Sequence, residues 1–177
     1  ALPIYFSRGV LALQKANIKG TGTDMQVQAS IPLNRAAPLS LLAQGTMDLQ
    51  IAQLFDPDIT SSGQMRFDIN SFGARANPDV QGQIHIENAN VLSNGAPVGL
   101  QNGNGVLTLT KDRLDISEFN GSVGGGKVKA SGGIVYRPAV RFDLGLSAHG
   151  IRVPYPEGMR EALNADLALT GSIEAAT

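Results

Sequence analysis

Residues 63–69 read GQMRFDI, a glycine followed by apolar side chains at every second position. Residues 45–51 (GTMDLQI), 82–86 (GQIHI) and 105–109 (GVLTL) repeat the same order. Successive side chains of an extended strand point to opposite faces, so a period of two places the apolar residues on one side. The repeat therefore predicts amphipathic β-strands that follow one another along the chain as a meander.

The same alternation predicts further strands elsewhere in the chain. Their apolar positions are Met25, Val27, Ala29 and Ile31; Leu114 and Ile116; Val128, Ala130 and Ile134; Phe142, Leu144 and Leu146; and Leu163, Leu167 and Leu169. Helix signals are confined to residues 38–43 and 156–163, and neither segment is long enough to cover a sheet. Because no spacing typical of β-helix-β units occurs, we expect an all-β fold with antiparallel pairing and a single domain over residues 1–177.

Glycine marks the expected turns between these strands. The Asn-Gly pairs at 94–95, 102–103 and 120–121 supply the positive φ angles of tight hairpins, and 111–112 and 124–126 are further turn candidates. The pair Gly132-Gly133 lies inside a strand pattern and predicts a β-bulge.

Composition narrows the class of protein. Of the 177 residues, 42% are hydrophobic and only 16% are charged, so the chain can bury a core. The net charge of -1 and the scattered basic residues do not favour nucleic acid as a partner. No apolar run reaches the length of a transmembrane helix, and the chain starts at Ala1 without a signal-peptide pattern. We expect a fragment of a longer protein.

Motifs for catalysis, metals and nucleotides are weak. Residues 121–128 come close to a phosphate-binding loop, but Val128 stands where a Ser or Thr hydroxyl is needed, so a glycine-rich turn is the better interpretation. His85 and Glu87 share one strand face, yet a zinc site needs three or four ligands and the only other histidine is His149. We therefore predict a protein that is not an enzyme and that uses no cofactor or metal.

The apolar face needs a cover. About ten strands, each about 20 Å long and about 4.8 Å from the next, present about 1,000 Å² of apolar surface. That area exceeds the roughly 300–600 Å² of the largest patch on a typical soluble monomer. Three ways to shield this face from water remain possible at this point: a second sheet in a closed sandwich, acyl chains held in a curled gutter, or another protein.

The order of the repeats resembles the TamB and AsmA-like family over about residues 43–171. The residues that carry the resemblance lie in three stretches: GQMRFDI through NPDVQGQIHIENANV at 63–91, VGL through GVL at 98–107 with RLDI and GGG at 113–126, and YPEG through ADLALTG at 155–171. The resemblance implies a long curled antiparallel sheet, called a β-gutter or β-taco, with an apolar interior. It also implies a periplasmic location in a longer repetitive protein that is anchored to the inner membrane by a segment outside this sequence.

In function, the resemblance implies transport of phospholipid acyl chains between the inner and outer membranes, together with a TamA-like outer-membrane barrel as partner. An alternative is a scaffold that assembles outer-membrane proteins by adding their strands to its own sheet edges. The expected groove lining is Met25, Val27, Met47, Leu49, Ile51, Met65, Phe67, Ile69, Ile84, Ile86, Leu107, Leu109, Leu114, Ile116, Val128, Phe142, Leu144, Leu146, Leu167 and Leu169.

Overall fold

A computed structural model describes residues 3–34, 36–153 and 162–173. These residues contain eleven strands: β1 Ile4–Ser7, β2 Val10–Gly20, β3 Thr23–Pro32, β4 Leu39–Asp48, β5 Ile59–Gly73, β6 Asp79–Ser93, β7 Leu100–Thr110, β8 Arg113–Val123, β9 Gly126–Val135, β10 Val140–Ile151 and β11 Leu163–Ile173. A short 3₁₀ helix, Leu49–Leu54, joins β4 to β5. No helix of the described residues has the length and apolar character needed to cross a membrane.

All the described strands form one antiparallel sheet in sequential order, from β1 at one edge to β11 at the other. The all-β antiparallel prediction is confirmed, and the closed sandwich is not the arrangement, because these strands make a single sheet rather than two packed ones. The turns divide between two rims. The upper rim holds the odd-to-even connections β1–β2, β3–β4, β5–β6, β7–β8 and β9–β10, and the lower rim holds β2–β3, β4–β5, β6–β7 and β8–β9.

The sheet buries little of its own surface. Its accessible surface is 11708 Å², whereas a compact monomer of this mass exposes about 8,200 Å². The buried apolar residues of the described part are Ala16, Phe67, Ala89, Val128, Ala148 and Ile151, and most of them are small. The fold therefore leaves its largest apolar surface half open.

β-Bulges bend the strands along one line. On β5, β6, β7 and β10 the regular pairing breaks at residues 62–64, 86–89, 101–104 and 148–151, on the lower-rim side of the strand centre in each case. A bulge inserts an unpaired residue and bends its strand, so neighbouring bulges fold the sheet along a crease. The buried residues Ala89, Val128 and Ala148 lie on or beside this crease. We call this line of bulges the crease, and we call the apolar face beside it the trough.

Asparagine side chains hold the crease between β6 and β7. Asn88 and Asn102 have φ angles of 53° and 51°, the left-handed region that Asn tolerates better than most residues. The side-chain oxygen of Asn104 accepts from the Asn88 N–H at 3.0 Å, and that of Asn90 accepts from the Asn102 N–H at 3.1 Å. These amides replace the backbone partners that the bulges remove.

The structure corrects several sequence expectations. Residues 102–103 and 120–121 lie inside β7 and β8 and are not hairpin turns, although 94–95, 111–112 and 124–125 are turns as predicted. Gly132-Gly133 keeps its register with β10, and the bulge lies instead on the neighbouring strand between Ile116 and Phe119. Residues 39–43 belong to β4 rather than to a helix, and residues 156–161 of the second helix-like segment lie outside the described residues.

Leu49 and Ile51 are not strand residues, contrary to the prediction. The Asp48 carboxylate accepts from the Gln50 N–H at 2.8 Å and caps the 3₁₀ helix, so β4 ends at Asp48 and not at Ile51 as the alternation suggests. The Ser61 hydroxyl then donates to the Leu49 carbonyl at 2.8 Å and fixes the helix against β5. The period-two pattern alone does not reveal this cap.

Candidate functional site: an apolar trough

Three rows of residues in direct register form the apolar face, and they cross the sheet from β2 to β11. The first row is Ala16, Val27, Ala43, Ile69, Gly82, Leu109, Leu114, Ile134, Phe142 and Gly171. The second is Ile18, Met25, Gly45, Phe67, Ile84, Leu107, Ile116, Gly132, Leu144 and Leu169. The third is Gly20, Thr23, Met47, Met65, Ile86, Gly105, Phe119, Ala130, Leu146 and Leu167.

Thr23 is the single polar side chain in these rows, and the opposite face has the reverse character. One row of that polar face is Asn17, Gln26, Gln44, Asp68, Gln83, Thr108, Asp115, Gly133, Asp143 and Thr170. This separation of apolar and polar side chains onto opposite faces fixes the register of strand pairing, because a slip of one residue would exchange every apolar side chain for a polar one.

The predicted lining residues occupy this apolar face, except for Leu49 and Ile51. Val128 belongs to the crease, where it pairs with Ala148. The apolar side chains become more exposed toward both edges of the sheet. Phe67 is 7% exposed in the middle, whereas Leu167 and Leu169 on β11 are each 58% exposed and Phe6 on β1 is 64% exposed. The trough is therefore shallow at both edges.

The sequence pattern did not predict Phe119 as a residue of the apolar face, and it did not predict the two N-terminal strands, β1 and β2. Phe119 follows Ile116 by three positions, so it breaks the alternation, yet the bulge on β8 returns it to the apolar face. A bulge between Leu13 and Ala16 disturbs β2 in the same way. A large apolar residue out of phase with an otherwise strict alternation is the signal that indicates such a bulge.

Large side chains lie over glycines of neighbouring strands and smooth the trough wall. A methyl group at Gly105 would be 2.6 Å from Cδ2 of Phe119, and one at Gly171 would be 2.8 Å from Cζ of Phe142. The rings thus fill the space that the missing side chains leave. The resulting wall is aliphatic and aromatic with few polar interruptions.

A bridge between distant turns shows that the sheet curls. Arg137, in the β9–β10 turn, donates from Nη1 to the Pro78 carbonyl at 2.7 Å and to the Asn77 side chain, both in the β5–β6 turn. In a flat sheet these turns would be about 19 Å apart, four strand spacings. The sheet must therefore curl to bring them into contact.

Tyr136 lies beside this bridge. It directly follows β9, and its hydroxyl donates to the Thr110 carbonyl. The Arg137 guanidinium stacks 5.4 Å from the ring centroid. Burial is the main cause that raises the pKa of the Tyr136 phenol. Arg137 opposes the rise, and the carboxylates of Asp112 and Asp79 add to it.

The described surface has other concave regions. A depression on the polar face lies between Gln26, Gln44, Arg66 and Gln83, and polar residues form most of its lining. Within residues 3–34, 36–153 and 162–173, no three His, Asp or Glu side chains cluster as metal ligands would. Glu87 pairs with Arg66 at 3.1 Å, and residues 124–125 of the glycine-rich stretch form the β8–β9 turn.

No family model, curated protein or solved structure matches this chain.

Proposed function

We propose that this chain is a segment of a periplasmic, inner-membrane-anchored protein of the TamB and AsmA-like group, and that its trough carries phospholipid acyl chains between the two membranes. A TamA-like outer-membrane barrel would be its partner. The observation that carries the proposal is the unbroken register of the three apolar rows on a face that the described strands leave open.

Acyl chains fit this surface in chemistry and in energy. Each CH₂ group that leaves water for an apolar wall gains about 0.8 kcal/mol, so ten groups gain about 8 kcal/mol before ordering of the tail is counted. Every strand from β2 to β11 presents the same class of side chain to the trough, so a tail meets a similar wall at each step. Movement along the trough then requires no catalytic step.

The scaffold alternative is supported by the sheet edges. Within the described residues, β1 and β11 each pair on one side only, which leaves backbone groups able to accept another strand. This mode uses the backbone of an edge strand and is indifferent to side chains in the middle of the trough. The two functions therefore respond differently to a charge placed on a central strand.

The test places a carboxylate in the trough. Leu144→Asp alters a half-buried side chain of β10, Phe67→Asp alters a buried one of β5, and Gln83→Asp puts the same group on the polar face as a matched control. We expect native mass spectrometry to find phospholipid with the unaltered chain and the control, and much less with the two trough variants. Circular dichroism checks that each variant keeps its strands. Equal lipid on all folded variants would refute the transport function and favour the edge scaffold.

A further inference from the structure

Charge is distributed unequally between the two rims of the trough. The cations of the described upper rim are Arg8, Arg75, Lys111, Arg113, Arg137 and Arg141, against the carboxylates of Asp79 and Asp112. The described lower rim instead carries Lys19, Lys127 and Arg152 against the carboxylates of Asp24, Asp48, Asp56 and Asp58. The upper rim is thus the basic side of the trough.

Most of the upper-rim cations are not neutralised by a neighbouring carboxylate. The ion pairs of the described residues are Lys19–Asp24, Arg66–Glu87, Arg113–Asp115 and Lys129–Glu118, and only Arg113 among their cations belongs to the upper rim. Arg137 and Lys111 therefore have no carboxylate within 4.0 Å in the part of the chain that the structure describes. Both retain charge for an anion from solution.

These two cations share one depression, whose wall also contains Asn77, Asp112 and Pro138. The contacts of Arg137 with Asn77 and Pro78 use only its Nη1 atom, so the N–H groups of Nε and Nη2 stay available. A fixed guanidinium with donors to spare is the group that best recognises phosphate, and Lys111 adds a second positive charge. Asp112 limits the net charge of the depression and disfavours a dianion such as free phosphate.

The depression opens beside the apolar rows. Leu109 lies two residues before Lys111 of the β7–β8 turn, and Ile134 lies two residues before Tyr136, on which Arg137 stacks. A molecule with an anionic head and an apolar tail can therefore place the head in the depression and the tail along the trough.

We infer that the upper-rim depression around Lys111 and Arg137 binds the phosphodiester headgroup of a phospholipid whose tails lie in the trough. This inference rests on the proposed function and adds to it a headgroup site and an orientation. Headgroups lie at the upper rim, and tails run toward the crease. A diacylglycerol, which has the same tails without phosphate, gains nothing from the depression.

The test compares water-soluble lipids by titration calorimetry. The probes are dihexanoylphosphatidylglycerol, dihexanoylglycerol and inorganic phosphate, and the variants are Lys111→Gln and Arg137→Gln. Lys127→Gln is the control, because Lys127 is exposed on the lower-rim side of the crease and belongs to none of the four ion pairs. We expect each upper-rim variant to weaken phosphatidylglycerol binding about fivefold and to leave dihexanoylglycerol binding unchanged.

The outcomes separate the two proposals. Binding of both lipids without an effect of the upper-rim variants would overturn the headgroup site and leave the trough intact. Failure of both lipids to bind the unaltered chain would overturn the trough and, with it, the headgroup site. Displacement of the phospholipid by millimolar inorganic phosphate would show a site for the free ion and would also overturn the inference.

Discussion

Replacement of Asn104 by alanine tests the asparagine network that bends β6 and β7. The change removes the acceptor of the Asn88 N–H at 3.0 Å and the donor to the Asn102 carbonyl at 2.7 Å. At about 1 kcal/mol for each hydrogen bond, the free energy of unfolding should fall by about 2 kcal/mol. With an m-value of about 2 kcal/mol per molar, the urea midpoint should fall by about 1 M.

A matched change separates the network from a general effect of losing an amide. Asn70 lies exposed on the polar face of β5, and within the described residues its side chain makes no hydrogen bond. Asn70→Ala should therefore leave the urea midpoint almost unchanged. Equal shifts for Asn104→Ala and Asn70→Ala would refute the role of the network.

The backbone angle of Asn88 provides a second check on the same reasoning. Its φ of 53° should make Asn88→Ala less stable than Asn88→Gly by about 1 kcal/mol, because glycine adopts this conformation without a steric penalty. The reverse order, measured by the same urea titration, would contradict the bulge geometry.

Two other changes give equally direct tests. Gly132→Ala should lower the free energy of unfolding by about 2 kcal/mol, since its φ is 126° and the added methyl would lie 2.1 Å from the Asp143 carbonyl oxygen. Gly145→Ala, whose methyl meets Ser131 Oγ only at 3.8 Å, should change it little, and equal thermal melts for both would contradict the close packing of β9 on β10. Tyr136 should make stability fall as the pH rises above about 10, because the phenol ionises in the unfolded chain before it does in the folded one. Tyr136→Phe should remove this alkaline loss in urea titrations, so an unchanged loss in Tyr136→Phe would contradict the assignment.

The alternation of residues 63–69 and its repeats was sufficient to predict strands, antiparallel pairing and the central lining of the trough. Side-chain direction in a strand depends only on position parity, so Met65, Phe67 and Ile69 could be assigned to one face without any tertiary information. The same logic holds wherever the strand stays regular.

The crease could not be predicted in this way. Asn and Gly favour positive φ in hairpin turns and in bulges alike. The pair Asn102-Gly103 therefore predicts a turn, although β7 continues through both residues. Whether these residues form a turn or a bulge depends on Asn90, which is distant in sequence but supplies the hydrogen bond that keeps β6 and β7 paired.

The upper-rim depression also could not be predicted from the sequence. Arg137 and Asn77 are 60 positions apart, and only the curl of the sheet brings them together. Cations that are scattered in the sequence therefore lie together at the upper rim, because every second turn of a meander returns to the same side.

The sequential strand order means that the trough can change length in whole hairpins. Each described strand pairs only with the strands before and after it, so no pairing between distant strands must be preserved when a unit is added or removed. A gain or loss of two strands alters the span by about 9.6 Å and returns the chain to the same rim. An odd number would move every later turn to the opposite side and exchange basic for acidic positions. The length of the trough therefore changes in steps of two strands.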